Sequence, residues 1–426
     1  MQTDFRRSAP QIKEVEKIFH EEVQEKVLAE NTVFSYINDT NNPTVKLSLK
    51  LNAGSWFEHK KLIATTCARL AKSGTISQKS AQIAEAIDCS GGKLIFNCME
   101  DHAWITLRCL SENLPELLGI LSQLFKESTF PQTELDIHKK HRLQQLKLNN
   151  KKTEYLAQKH FFASVFGSEH PYGFYTEAAF IDALERKDLL DFFESNYTRE
   201  NLQIMGVGNF NEQYFGEIEK LIQSVKSGEG EKQNFMHPIQ PALNKEIFIP
   251  VKDAEQVSLA MGNRSPLRSD PEYIDYSIMI ALLGGYFGSR LMMNLREKKG
   301  LTYGIYAQIQ NYKHSGCLVI QAELKKGSGE KAIGEVFFEM ERLKHELVSN
   351  EELRNLKQYL SGNLLSMLDG KLRQYEMLRQ FKTFGLDEDF LYRYFNRIKK
   401  IEPEDIQQLA LKYLDKNSFF TVISGA

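Results

Sequence analysis

At 426 residues the chain exceeds one ordinary core and suits two domains of about 200 residues each. Its 42% hydrophobic and 26% charged residues are the balance of a globular protein, and 54 basic against 56 acidic side chains leave a formal net charge of -2, too little to gather nucleic acid or anionic lipid by a global field. No apolar run approaches the roughly 20 residues of a membrane span.

The amino terminus carries Arg6 and Arg7 with no apolar stretch behind them, so as it stands it is not a secretory signal. Val45, Leu47, Leu49 and Leu51 alternate, which predicts a strand over 45–51. A helix follows over 62–72, then Gly91-Gly92, then strands over 93–98 and 103–110. Leu114, Leu117, Leu118, Leu121, Leu124 and Phe125 recur at helical spacing, and 133–149 predicts a helix with a polar outer face. Residues 192–210 read as helix end, turn and strand.

The most polar stretch, 227–234, is followed by Pro238 and Pro241 and has the composition of a linker near the midpoint. Beyond it the same order returns. Val257, Leu259 and Met261 alternate as a strand. A helix over 273–299 is interrupted at Gly284-Gly285 and closed by Gly300, with Lys298 and Lys299 suited to the negative end of its dipole. Strands follow over 301–309 and 317–324, then a helix marked by Ile333, Val336, Phe337, Met340 and Leu343. Ser349 and Glu352 form a capping box for the next helix, and 409–426 repeat the helix-turn-strand reading of 192–210. The expected fold class is α+β: two tandem homologous domains, each a mostly antiparallel sheet with helices on one face. The expected divisions are 1–225, a linker over 226–245, and 246–426.

The most specific segment is 287–306, FGSRLMMNLREKKGLTYGIY, where Arg296 at a helix end precedes a Gly-Leu-x-Tyr turn. With Asn52-Ala53-Gly54-Ser55, Ser73-Gly74-Thr75, Gly91-Gly92 with Asn97, and His170-Pro171-Tyr172-Gly173, it resembles the pitrilysin/insulinase-like zinc metallopeptidases, including the mitochondrial processing peptidase group. The resemblance spans roughly residues 8–426 and rests on the order and spacing of motifs that are weak singly. It implies the clam-shell half built of two such domains.

In that family an H-x-x-E-H helix stands just before a Gly-Thr pair, its His residues binding zinc and its Glu activating water. Counted back from Gly74-Thr75, the first His falls on Thr65, the Glu on Ala68 and the second His on Arg69. A distal Glu ligand belongs within 135–153, yet no Glu lies between Glu134 and Glu154. Arg69 cannot deprotonate to become a ligand, and a fixed cation repels a metal. The resemblance thus implies no cofactor in this chain, with zinc in a partner subunit. It further implies that Arg296 and Tyr303 face a substrate chamber, bind the peptide carbonyl region and steady an oxyanion. Tyr303 alternates with Ile305, Ala307 and Ile309, which places it on an otherwise apolar face. The strand over 93–98 matches the family's edge strand, which pairs with extended peptide, and Asn97 is the residue carried over.

The expected partners are a homologous zinc-bearing subunit in a heterodimer and a peptide substrate, with no nucleic acid and no membrane span; a homodimer in isolation is left open. The competing class is an inactive peptide-binding or scaffold protein with the same fold and no peptidase partner; retention of Arg296 and Tyr303 weighs against it. His138 and His141 read as a solvated basic face, Cys67 as a buried thiol, Glu58 and His59 as loop residues, His102 as a turn residue and His170 as shaping the loop before Tyr172. Gly284-Gly285-x-x-Gly288 lacks the Lys-Ser/Thr of a phosphate loop. Five cysteines without a C-x-x-C pair fit a reducing compartment, so the expected location is the cytoplasm, or the periplasm if a signal was removed.

Overall fold

A computed structural model describes residues 15–228 and 235–425. Arg6, Arg7 and the centre of the polar linker, 229–234, lie outside the described residues.

The first sheet holds β1 (Gln24–Val27), β2 (Val33–Asn38), β3 (Thr44–Leu51), β4 (Lys93–Cys98), β5 (Ala103–Leu110) and β6 (Gln203–Gly208), in the order β1-β2-β6-β3-β5-β4. The second holds β7 (Glu246–Ile249), β8 (Gln256–Gly262), β9 (Thr302–Asn311), β10 (Gly316–Lys325) and β11 (Phe420–Ser424), in the order β7-β11-β8-β10-β9. Without β1, the two orders are the same permutation. Each sheet has one parallel pair, β2 with β6 and β7 with β11, and is otherwise antiparallel. The repeat read from sequence is therefore a repeat of topology.

The helices of the first half are α1 (Ile63–Leu70), α2 (Ser80–Cys89), α3 (Leu114–Glu127), α4 (Gln132–Asn149), α5 (Thr153–Phe166), α6 (Ala178–Asp182), α7 (Arg186–Asn196) and α8 (Glu212–Ser224). Those of the second are α9 (Tyr273–Ile280), α10 (Gly329–His345), α11 (Asn350–Leu368), α12 (Lys371–Phe384), α13 (Phe390–Lys400) and α14 (Pro403–Tyr413). Val45, Leu47, Leu49 and Leu51 are buried against Ile63 and Cys67 of α1 and the Leu117 to Leu124 face of α3, as their alternation requires. Val257, Leu259 and Met261 meet Val336 and Met340 of α10 in the same way.

The opposite face of each sheet is covered by a helix of the other half. Phe161, Val165 and Phe166 of α5 pack with Ala260, Val319 and Val422 of the second sheet. Tyr375 and Leu378 of α12 pack with Ile37, Trp104, Met205 and Val207 of the first. The sequence of the strands demands this second layer. β6 buries Ile204 on one face and Met205 and Val207 on the other, and β5 buries Ile105 and Trp104 on opposite faces. A strand that is apolar on both sides needs cover on both.

Two local expectations change in detail. The helix over 273–299 is not one α-helix: α9 passes into a π-helical turn, Ala281–Gly285, and a second π-helical segment spans Met292–Lys298. The capping box is half made. The Ser349 hydroxyl accepts the Glu352 N–H at 3.2 Å, but the Glu352 carboxylate turns to the Arg290 guanidinium at 2.8 and 3.0 Å, a charge-assisted pair stronger than a return bond to a neutral N–H.

Candidate functional site

The helix that carries Thr65, Ala68 and Arg69 is held at its start by Glu58. Leu62 precedes α1 with φ of 72° and offers no side-chain cap, so the Glu58 carboxylate takes the Ala64 N–H at 3.2 Å. Burial pushes the Glu58 carboxyl up to about 7, against the N–H groups of Ala64 and Leu62 and the charges of Lys61 and Arg142. Thr65 donates to the Leu62 carbonyl at 3.2 Å and accepts from Arg142 Nη1 at 3.0 Å. Arg142 projects from α4, which covers most of the stretch where the resemblance implies a distal Glu. Burial lowers its proton affinity, and Glu58 opposes the shift. Ala68 is buried and offers no donor atom, while Arg69 is exposed at the next position. Cys67 is fully buried and its thiol is raised well above its ordinary value by burial, so it is the inert thiol expected.

His138, one turn before Arg142, corrects the reading of a solvated face. Its Nε2 is buried without a partner, and burial, then the charges of Arg142 and Arg69, push it down to about 4. It is a neutral imidazole at neutral pH. Zinc fits none of this. Thr65, Ala68 and Arg69 supply no imidazole or carboxylate, and the guanidinium of Arg142 stands against Thr65. Among the described residues no group of three or more His, Cys, Asp and Glu side chains is arranged to hold a metal ion.

In the second half, ion pairs fix the segment around Arg296. Asn294 is buried and donates to Glu335 at 3.0 Å and Glu339 at 2.8 Å, Lys299 pairs with Glu335, and Arg290 grips Glu352. These ties pin the π-helical segment to α10 and α11 and leave Arg296 at its open side. The Arg296 guanidinium lies 4.7 Å from the centre of the Phe287 ring and 3.2 Å from Glu297, with about a third of its side chain exposed (34%).

Tyr303 sits on a β-bulge. Ile305 faces Ala322 and Thr302 faces Leu324, so Tyr303 and Gly304 together oppose the single residue Glu323. The Thr302 hydroxyl stabilises the bulge, accepting the Gly304 N–H at 3.1 Å and donating to the Glu323 carbonyl. The extra residue takes Tyr303 off the face of Ile305 and Ala307, which are buried, and leaves it 87% exposed, with Tyr306 also exposed nearby. The alternating set read from sequence is thus broken between Tyr303 and Ile305, and the phenol faces solvent.

β4 is the outer strand of its sheet. Met99 donates to the His102 carbonyl at 2.8 Å, which makes that pair a hydrogen-bonded one. Alternation makes Asn97 with Trp104 bonded too, so the main chain of Asn97 is spent inside the sheet. The outward N–H and C=O groups belong to Leu94, Phe96 and Cys98. Asn97 keeps an exposed side chain whose amide meets only the Met99 sulfur, at 3.7 Å. The equivalent edge, β9, is closed: a Cβ on Gly284 of the π-helical turn would lie 2.8 Å from the Ala307 nitrogen, and the Ile305 N–H meets the Met292 sulfur.

The remaining landmarks join the halves. Tyr172 donates to Asp101, which also accepts the Lys313 N–H at 2.8 Å, and stacks on Tyr312 at 4.0 Å. His170 Nδ1 accepts the Tyr172 N–H at 3.1 Å, the loop-shaping role expected, and Trp56 stacks on His314 at 4.1 Å. A Cβ on Gly54 would lie 2.3 Å from the Glu100 carbonyl oxygen, so only glycine allows this approach. No hydrogen bond or ion pair among the described residues links Thr65, Ala68 or Arg69 to Arg296 or Tyr303. Sequence reasoning missed the buried Glu58 and the contact of Arg142 with Thr65; the lone signal was a basic residue in the helix expected to supply an acid.

Comparison with known proteins supplies the family. Residues 33–171 match the model described as Insulinase (Peptidase family M16), and residues 183–360 the one described as Peptidase M16 inactive domain. An uncharacterized zinc protease of Rickettsia felis is 28% identical over 378 residues, 86% of each chain. The uncharacterized zinc protease YmxG of Bacillus subtilis is 23% identical, over 77% of this chain and 81% of its own. The probable inactive metalloprotease YmfF of the same organism is 23% identical, over 58% of this chain and 57% of its own. Among solved structures, a peptidase M16 inactive domain from Pseudomonas fluorescens superposes with a TM-score of 0.84 at 23% identity, covering 94% of this chain and 98% of that one. A protease from Helicobacter pylori gives 0.85 at 16%, covering 96% and 100%. Matched along both halves, the chain belongs to the insulinase-like peptidase family M16.

Proposed function

We propose that this chain is the non-zinc subunit of a heterodimeric metallopeptidase acting on peptides or unfolded segments, and that Arg296 and Tyr303 complete an active site whose zinc lies in the partner. The observation that carries the reading is the bulge at Tyr303. It leaves a phenol 87% exposed seven residues beyond the partly exposed Arg296, and a core-filling residue would need no such device. Both side chains are donors suited to negative charge developing on a carbonyl oxygen. Arg296 would exchange its exposed contact with Glu297 for that oxygen, while the Phe287 ring keeps the guanidinium oriented. The open edge of β4, at Phe96 and Cys98, takes extended peptide through main-chain bonds that tolerate varied sequences, with the Asn97 amide on the adjoining face.

In this reading the halves divide at 1–225 and 246–426, with the linker over 226–245 between them. The cysteines are all free among the described residues, which fits a reducing compartment, the cytoplasm. No helix among the described residues is long and apolar enough to cross a membrane.

The test compares the chain alone with the chain assembled with a zinc-bearing M16 subunit of the same cell. The isolated chain should retain no stoichiometric zinc after purification and cleave no peptide, and the assembled pair should cleave. Chelator-sensitive hydrolysis by the isolated chain would overturn the reading.

A further inference from the structure

The motif helix ends beside a depression of about 650 Å3 between α1, α2 and α4, lined by Arg69, Lys72, Ser73 and His141, with Asp88 and Glu134 as its acids. Arg69 is exposed there and has no hydrogen bond or ion pair among the described residues. Lys72 reaches out of the depression and donates to the Leu94 carbonyl at 3.0 Å, which leaves two ammonium protons for another acceptor. Burial, then the charge of Arg69, lower its proton affinity, and Asp88 opposes the shift. Lys72 touches one end of β4, and Arg69 stands beside Lys72 in the same depression.

That end has a direction. The outward groups of β4 are those of Leu94, Phe96 and Cys98, and the carbonyl of Leu94 is already taken by Lys72. A peptide added to this edge finds free partners at Phe96 and Cys98 and then meets the Lys72 cap. Added antiparallel, it arrives at Leu94 with its carboxyl end, and a carboxylate there falls to Lys72 and Arg69. Added parallel, it would bring an ammonium group against the same two cations. Charge therefore selects the antiparallel arrangement, and the cap stops the ladder where the chain would have to end.

We propose that β4 binds the carboxy-terminal end of a peptide, with its free α-carboxylate held by Arg69 and Lys72. This names the substrate end for the peptide-binding edge of the proposed function and rests on that reading. A planar guanidinium with no hydrogen bond or ion pair among the described residues suits bidentate recognition of a carboxylate.

The experiment is fluorescence anisotropy on the full chain with one short labelled peptide in three forms: the free acid, the carboxamide, and a carboxamide ending in Glu. The free acid should bind about tenfold or more tighter than both amides, the range of a charge-assisted bond. Arg69→Gln and Lys72→Gln should each bring the acid toward the affinity of the amide without changing the amide. Equal binding of acid and carboxamide overturns the carboxylate site, as does equal binding of the Glu-ended amide, as does a preference that survives both substitutions, as does no binding by any form. The partner-borne active site is read separately, from turnover of an amidated peptide by the assembled pair, so failure of the carboxylate site and failure of that active site are distinguished.

Discussion

Glu58→Gln isolates the buried carboxyl at the start of α1. In the folded chain burial holds the Glu58 carboxyl at about 7, against an ordinary 4.5. Between those values the native state keeps a proton that the unfolded chain has released, so stability falls as pH rises through the window and levels off above about 7. The full displacement corresponds to about 3 kcal/mol. Glutamine keeps an oxygen for the Ala64 N–H and cannot ionise, so it removes this pH dependence while preserving the cap on α1. Urea unfolding at about pH 5 and about pH 8 should show wild type losing about 2 to 3 kcal/mol relative to Glu58→Gln across that interval. A wild-type-to-mutant difference independent of pH would refute the argument that Glu58 is ionised at a desolvation cost beside Arg142.

The helix exchange makes two further predictions. Tyr375→Ala empties a fully buried site between α12 and the first sheet and should cost about 3 to 5 kcal/mol, although Tyr375 belongs to the second half of the chain. Phe161→Ala should cost a similar amount, about 3 to 5 kcal/mol, through the second sheet. In calorimetry each variant should shift one shared transition; a variant that melted one half while the other kept its wild-type midpoint would contradict the exchange.

The sequence disclosed what depends on local period. Val45 to Leu51 alternates because one face of β3 is buried by α1 and α3, and β4 and β5 fall where their patterns place them. The same rule failed at Tyr303, because a bulge adds one residue without changing the residue types around it. Counting from Gly74-Thr75 picks out Thr65, Ala68 and Arg69 as the positions to inspect. The contact of Arg142 with Thr65 was not legible, because it spans 77 positions and nothing near either residue announces it. His138 looked solvated in a polar helix, yet its neighbours in space include Arg69 and Arg142, which sequence distance hides. The cross-cover by α5 and α12 has the same origin. α12 offers the first sheet only a few apolar side chains, Tyr375 and Leu378 among them, so its own pattern reads as an ordinary surface helix.

The most direct test of the borrowed active site is the turnover number of the assembled pair when this chain carries Arg296→Ala. With partner affinity unchanged, kcat should fall about 10²-fold or more, the loss of one donor to a developing oxyanion. An assembled Arg296→Ala pair that turns over at the wild-type rate would contradict it.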